Sequence, residues 1–103
     1  MEWYCAFWNS DKANYSVGAE YIYELLCQGD SSLVSEFPVV EECYQEVLEK
    51  APWATCHRLE GAVLMSCDFS RAEELNLLGE ELAKSHGLSF FEPQNFTFIP
   101  QIK

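Results

Sequence analysis

Apolar positions along the chain switch between two spacings, and each switch marks an element. Residues 3 to 8, WYCAFW, are apolar throughout, which predicts a strand buried on both faces. The polar run NSDKAN supplies turn chemistry. From about Tyr15 to Gln28 the spacing becomes helical. Val17, Tyr21, Ile22, Leu25 and Leu26 form one stripe, Ser16 is placed to cap the start, and Gly29 stops the helix. A second helix is predicted from Pro38 to Lys50. Pro38 suits a first helical position, Pro52 lies just past the end, and Val40, Cys43, Tyr44, Val47, Leu48 and Ala51 keep one apolar face.

The segment WATCHRLEGAVLMSCDF returns to strand character, most apolar over Ala62 to Cys67, with residues 54 to 59 a candidate partner strand before Gly61. The third helix is marked at both ends. Ser70 and Glu73 match a capping box, Leu75, Leu78, Gly79, Leu82 and His86 trace an inner face, and Gly87 with Leu88 matches a Schellman close. Two short strands, LSFFE and FTFIP, follow around a Pro93-Gln94-Asn95 turn. The order is β-α-α-β-α-β-β with one candidate extra strand. It predicts a single α+β domain over residues 1–103, its helices on one face of a mostly antiparallel sheet.

Composition narrows the partners more than the fold. Hydrophobic content of 49% argues for a packed core rather than disorder. No run approaches ~20 consecutive apolar residues. The start, MEWYCAFWNSDK, lacks the basic, apolar and cleavage regions of a secretory signal. Five widely spaced cysteines without a Cys-x-x-Cys pair predict free thiols in a reducing, cytoplasmic setting. Six basic residues against 17 acidic ones give a net charge of −11. Over the roughly 5,900 Å² that a chain of this mass exposes, that is about one uncompensated negative charge per 500 Å². Such a field repels phosphates and anionic membranes, so neither nucleic acid nor membrane is an expected partner. A basic protein is.

Catalytic chemistry finds little support in the residues. Cys56 and His57 are adjacent, but neighbours on a strand face opposite ways, which separates a nucleophile from its base. The cysteines and the two histidines show no metal-ligand spacing, and no glycine-rich phosphate loop is present. No enzymatic activity, cofactor or metal is therefore expected. His86, in a last helical turn, suits the helix dipole. The adjacent carboxylates Glu41-Glu42, Glu73-Glu74 and Glu80-Glu81 lie on helix surfaces, without the cleft and burial that acid–base pairs need. Glu73 is expected in the cap, Glu80 beside Lys84, and Glu46 beside Lys50, which leaves Glu41, Glu42 and Glu49 unpaired. Core packing is the default for Trp3, Trp8 and Trp53. The alternatives to a protein-binding role are a small-molecule or enzymatic pocket lined by Trp8, Trp53 and His57, and an acidic subunit of a larger assembly.

Between Lys12 and Lys50 there is no basic residue, whereas Glu20, Glu24, Asp30, Glu36, Glu41, Glu42, Glu46 and Glu49 fall in that gap. A solvated face is the ordinary meaning of such a run. Alternating signs, however, solubilise equally well and add support along a helix, while a one-sign field is destabilising through self-repulsion. The stretch is expected to dock a basic partner, through Glu41, Glu42, Glu46 and Glu49 foremost, with Glu20, Glu24 and Asp30 extending the surface.

The last third, AEELNLLGEELAKSHGLSFFEPQNFTFIP, carries a run of short motifs: Leu82-Ala83, His86-Gly87-Leu88, Phe91, Pro93-Gln94 and a closing Ile99-Pro100. Upstream stand an aromatic first strand, a tyrosine-rich helix and a helix ending at Pro52 before Trp53. The combination resembles small bacterial immunity proteins that pair with antibacterial toxins, including those of contact-dependent growth inhibition. The resemblance implies a cytoplasmic protein that binds and neutralises a toxin. Nuclease toxins are basic because they bind phosphate, so a small acidic inhibitor is the expected counterpart. Its field would steer encounter, with on-rates reaching about 10⁸–10⁹ M⁻¹s⁻¹ at low salt.

Overall fold

The computed structural model describes residues 1–10 and 18–100. The elements in chain order are β1 (Glu2–Trp8), α1 (Ala19–Cys27), α2 (Pro38–Lys50), β2 (Thr55–Leu59), β3 (Ala62–Asp68), a 3₁₀ turn (Phe69–Arg71), α3 (Ala72–His86), β4 (Ser89–Glu92) and β5 (Thr97–Ile99). The strands form one sheet in the order β2-β3-β1-β4-β5, with every neighbouring pair antiparallel. The α+β class and the element order are those the sequence predicts, and the candidate extra strand exists as β2.

The layering differs from expectation. Register puts Trp3, Cys5 and Phe7 of β1 on the same face as Val63, Met65 and Phe90, and this face packs against Val40, Cys43 and Val47 of α2 and Leu75 and Leu82 of α3. Ala6 and Trp8 point the other way, with Ala62 and Phe91, and there Ile22 and Leu26 of α1 cover them. So α2 and α3 share one face as expected, while α1 lies on the opposite one. The cause is in β1 itself. Cys5, Ala6, Phe7 and Trp8 are all buried in succession, and a strand apolar on both faces needs a cover on each.

Helix boundaries follow local chemistry. For α2 they fall where predicted, with Pro38 at its start and Val40, Cys43 and Val47 buried, but Leu48 is 40% exposed rather than inward. In α1 the first described helical residue is Ala19, and Gly18 occupies the cap position. The predicted start at Tyr15, the Ser16 cap and Val17 lie outside the described residues. The apolar stripe of α1 is also narrower than predicted, because Tyr21 is 54% exposed and only Ile22 and Leu26 are buried.

At the start of α3 the Ser70–Glu73 capping box does not form. Asp68 caps the preceding 3₁₀ turn instead, accepting from the Ser70 backbone N–H at 3.0 Å. That turn rotates Ser70 out of the cap position, and Glu73 is left on the surface. The other end is as predicted. Gly87 is left-handed (φ 67°), and the Leu88 N–H donates to the Ala83 carbonyl at 2.9 Å.

Two glycines fix how closely the layers approach. A Cβ on Gly79 would sit 2.3 Å from the ring of Phe90, so α3 reaches the sheet only because that side chain is missing. At Gly61, φ is +79° and a Cβ would meet the backbone of Ser35 at 2.8 Å. The loop from α1 to α2 presses on the β2–β3 turn there, held by Ser35 N–H to the Asn9 carbonyl (2.8 Å) and Asn9 N–H to the Gly61 carbonyl (2.9 Å). No helix among the described residues is long and apolar enough to cross a membrane.

Candidate functional site

Helix α2 lies over β2 and β3, and α3 over β1 and β4, so the two form a single outer layer. Each contributes four glutamates: Glu41, Glu42, Glu46 and Glu49 from α2, and Glu73, Glu74, Glu80 and Glu81 from α3. The layer's cations are Lys50, Arg71 and Lys84. The chain's own partners answer these acids unevenly.

On α2, Glu41 is not free, as its sequence neighbourhood suggests, but tied twice. It accepts from Gln45 Nε2 at 2.7 Å and from Arg58 Nε at 3.0 Å. Arg58 also pairs with Glu36 and donates to the Leu59 carbonyl, and Glu36 in turn accepts the Gly61 N–H at 2.8 Å. Both carboxyls are held below their usual range, Glu36 chiefly by Arg58, Glu41 by Gln45 and then Arg58. Glu46 meets His86 Nε2 at 3.0 Å and Lys50 at 3.4 Å, so the expected Glu46–Lys50 pair forms. His86, ahead of Lys50, lowers the Glu46 pKa. Glu42 and Glu49, seven residues apart on the outward line of α2, have no ion pair or hydrogen bond among the described residues.

The remaining predicted residues separate from this layer. Glu20 and Glu24 sit exposed on α1, across the sheet from α2. Asp30, in the loop after α1, accepts the Ser32 N–H at 2.9 Å in a turn, and the Ser32 hydroxyl, ahead of this N–H, lowers its pKa. One continuous face running from α1 to α2 does not exist.

Of the four α3 glutamates, only Glu74 has a partner among the described residues, Arg71 at 3.4 Å, and Arg71 also lies 4.7 Å over the Trp53 ring. The expected Glu80–Lys84 pair does not form, although the similarly exposed i, i+4 pair Glu46–Lys50 does. Glu73, Glu80 and Glu81 have no partner among the described residues. Glu73 and Glu80 border an open cleft of about 480 Å³ on the outer flank of α3, whose apolar lining includes Trp3, Phe69 and Leu77. Sequence reasoning missed this cleft. Its signal was Leu77, 61% exposed and apolar on the polar side of the helix.

The cleft floor is rigid. Trp3 Nε1 donates to Asn76 Oδ1 at 2.9 Å, and Asn76 Nδ2 donates to Glu92 Oε1 at 3.2 Å. Glu92 is fully buried, and its other oxygen accepts from Gln94 Nε2 and the Asn95 N–H, both at 2.7 Å. Gln94 then clamps Tyr4, exchanging 2.8 Å bonds with its N–H and carbonyl. Both oxygens of the buried carboxylate thus have a donor, one for Oε1 and two for Oε2.

Nucleophilic chemistry is poorly served by the thiols. Cys56 packs on the α2–α3 side while His57 is exposed on the other face, as adjacent strand residues must be. Burial raises the pKa of Cys5, Cys56 and Cys67, and pushes that of Cys43 up to about 12. Among the described residues no three His, Cys, Asp or Glu side chains are placed to share an ion. Trp8, Trp53 and His57 do not line one pocket, because Trp8 is buried under α1 and Trp53 packs on the opposite face. Compared with protein-family models, curated proteins and solved structures, the chain matches none.

Proposed function

We propose that this protein is a non-catalytic inhibitor that docks a basic protein, a toxin of nuclease type, on the α2–α3 layer. The observation that carries the reading is the set of five carboxylates there, Glu42, Glu49, Glu73, Glu80 and Glu81, that no cation among the described residues answers. Unpaired like charges repel one another, and a cationic partner relieves that repulsion on binding. The docking set therefore differs from the α1–α2 stretch. Glu42 and Glu49 stay, Glu41 and Glu46 contribute field while serving structural pairs, and the α3 glutamates replace Glu20, Glu24 and Asp30. The resemblance of motifs over most of the chain to small bacterial immunity proteins makes a toxin the proposed partner, with the carboxylates screening its phosphate-binding cleft.

Affinity capture of the tagged protein from its native lysate, eluted by a salt gradient, tests this directly. A stoichiometric basic protein leaving at moderate salt is expected, and it should be toxic to cells that lack this chain. An absence of any basic partner at low salt would overturn the docking reading. A partner harmless by itself would leave an accessory subunit in place of an inhibitor.

A further inference from the structure

We infer that the cleft between Glu73 and Glu80 is a seat for one arginine side chain of the protein partner. The inference rests on the docking reading and deepens it, by naming the side chain that the layer takes in at a single point. Glu73, Asn76, Leu77 and Glu80 recur at spacings of three and four along α3 and so share its outer flank. The two carboxylates lining the cleft lack partners among the described residues, and the exposed Phe69 and Leu77 supply apolar surface between them, over the buried Trp3.

That combination suits a guanidinium better than an ammonium. Arginine is flat and weakly hydrated, stacks on aromatic rings and forks to carboxylates, whereas lysine is a compact, strongly hydrated charge. Phe69 is 51% exposed and meets Trp3 edge to face at 5.4 Å, so aromatic surface remains open toward the cleft. The chain already stacks an arginine in this way where Arg71 lies over Trp53. Because Asn76 is pinned from behind by Trp3 and Glu92, the floor is fixed before binding, and little ordering is required of it.

The test titrates N-acetyl-arginine methylamide into the isolated full chain and follows the Trp3 indole N–H, the Asn76 side-chain amide and the Leu77 methyls by NMR. Saturable, millimolar shifts localised to these groups are expected. Citrulline methylamide, uncharged and nearly the same shape, should cause none, and lysine methylamide should bind more weakly. Glu73→Gln with Glu80→Gln should weaken binding about fivefold or more. Glu42→Gln with Glu49→Gln, outside the cleft, should leave it unchanged. Equal shifts with citrulline, equal affinity for lysine, or shifts spread evenly over all the glutamates would each overturn the seat. No partner protein is present in this titration, so its failure leaves the docking face to be judged by charge reversal at Glu42 and Glu49.

Discussion

Helices α2 and α3 carry four glutamates each, yet they end in different electrostatic states. On α2, Glu41 and Glu46 are each held by two partners, Glu41 by Gln45 and the cation Arg58, Glu46 by the His86 ring and the cation Lys50. On α3 a single 3.4 Å contact to Arg71 is the whole compensation among the described residues. The charge of a sequence window is therefore a poor guide to the field above it. The 37-residue gap without a basic residue looks like the most negative part of the chain, but Arg58, from beyond the gap, folds back onto Glu36 and Glu41. Among the described residues, three of the four less conspicuous α3 acids are left without a partner, against two of the four on α2.

The comparison depends on the two helices sharing one layer, and the largest effect comes from breaking that arrangement. Gly79→Ala forces a Cβ to 2.3 Å from the ring of Phe90, which is itself fully buried. We expect a loss of about 3 kcal/mol in denaturant unfolding, from overpacking. Gly61→Ala should cost about 2–3 kcal/mol, roughly 1–2 from the left-handed φ and the rest from a clash against the Ser35 backbone. Both variants should unfold at lower denaturant; near-wild-type midpoints would mean that the layers are not packed as described.

Removing the compensation on α2 should have a smaller effect with a distinctive pH dependence. Arg58→Gln frees Glu36 and Glu41, whose folded-state pKa values are depressed. A depressed carboxyl stabilises the fold above its unfolded pKa, and that contribution is lost as pH falls through the folded value. The variant should thus melt a few degrees lower than wild type at pH 7 and converge with it under acid. A gap that persists unchanged at low pH would show that lost packing, not charge, is responsible. Smallest of all, Asp68→Ala should lower the melting temperature measurably, while Glu73→Ala should change stability by less than about 0.5 kcal/mol. The reverse order would restore the capping box.

Much of this architecture is legible in residue order because local signals agree. Pro38, Pro52 and an uninterrupted apolar face fix α2, and Gly87 followed by Leu88 fixes the end of α3. Where two local candidates compete, the sequence does not choose. Asp68 and Ser70 are both good caps, and the 3₁₀ turn decides for Asp68. The placement of α1 was implicit in WYCAFW, since a doubly buried strand demands two covers, but a one-faced helical layer overlooked that demand. Long-range partners such as Arg58 for Glu41, or Asn76 for Trp3, have no local trace at all. Of the candidate docking residues, Glu42 and Glu49 could be found from helical phase alone. For the cleft beside Glu80 the same phase offers one sign, Leu77 on the polar side of α3, but not the lining, which needs Trp3 and Phe69 brought to the same flank.

The most direct test of the docking face compares two charge reversals in binding to the captured basic partner at low salt: Glu42→Lys with Glu49→Lys on α2, and Glu20→Lys with Glu24→Lys on α1. Both change the net charge equally and both lie on exposed helix surface. If the α2–α3 layer is the interface, the α2 pair should weaken binding about 100-fold, and the α1 pair, screened and on the other face, by less than about threefold. Equal losses, or a larger loss from α1, would contradict the account.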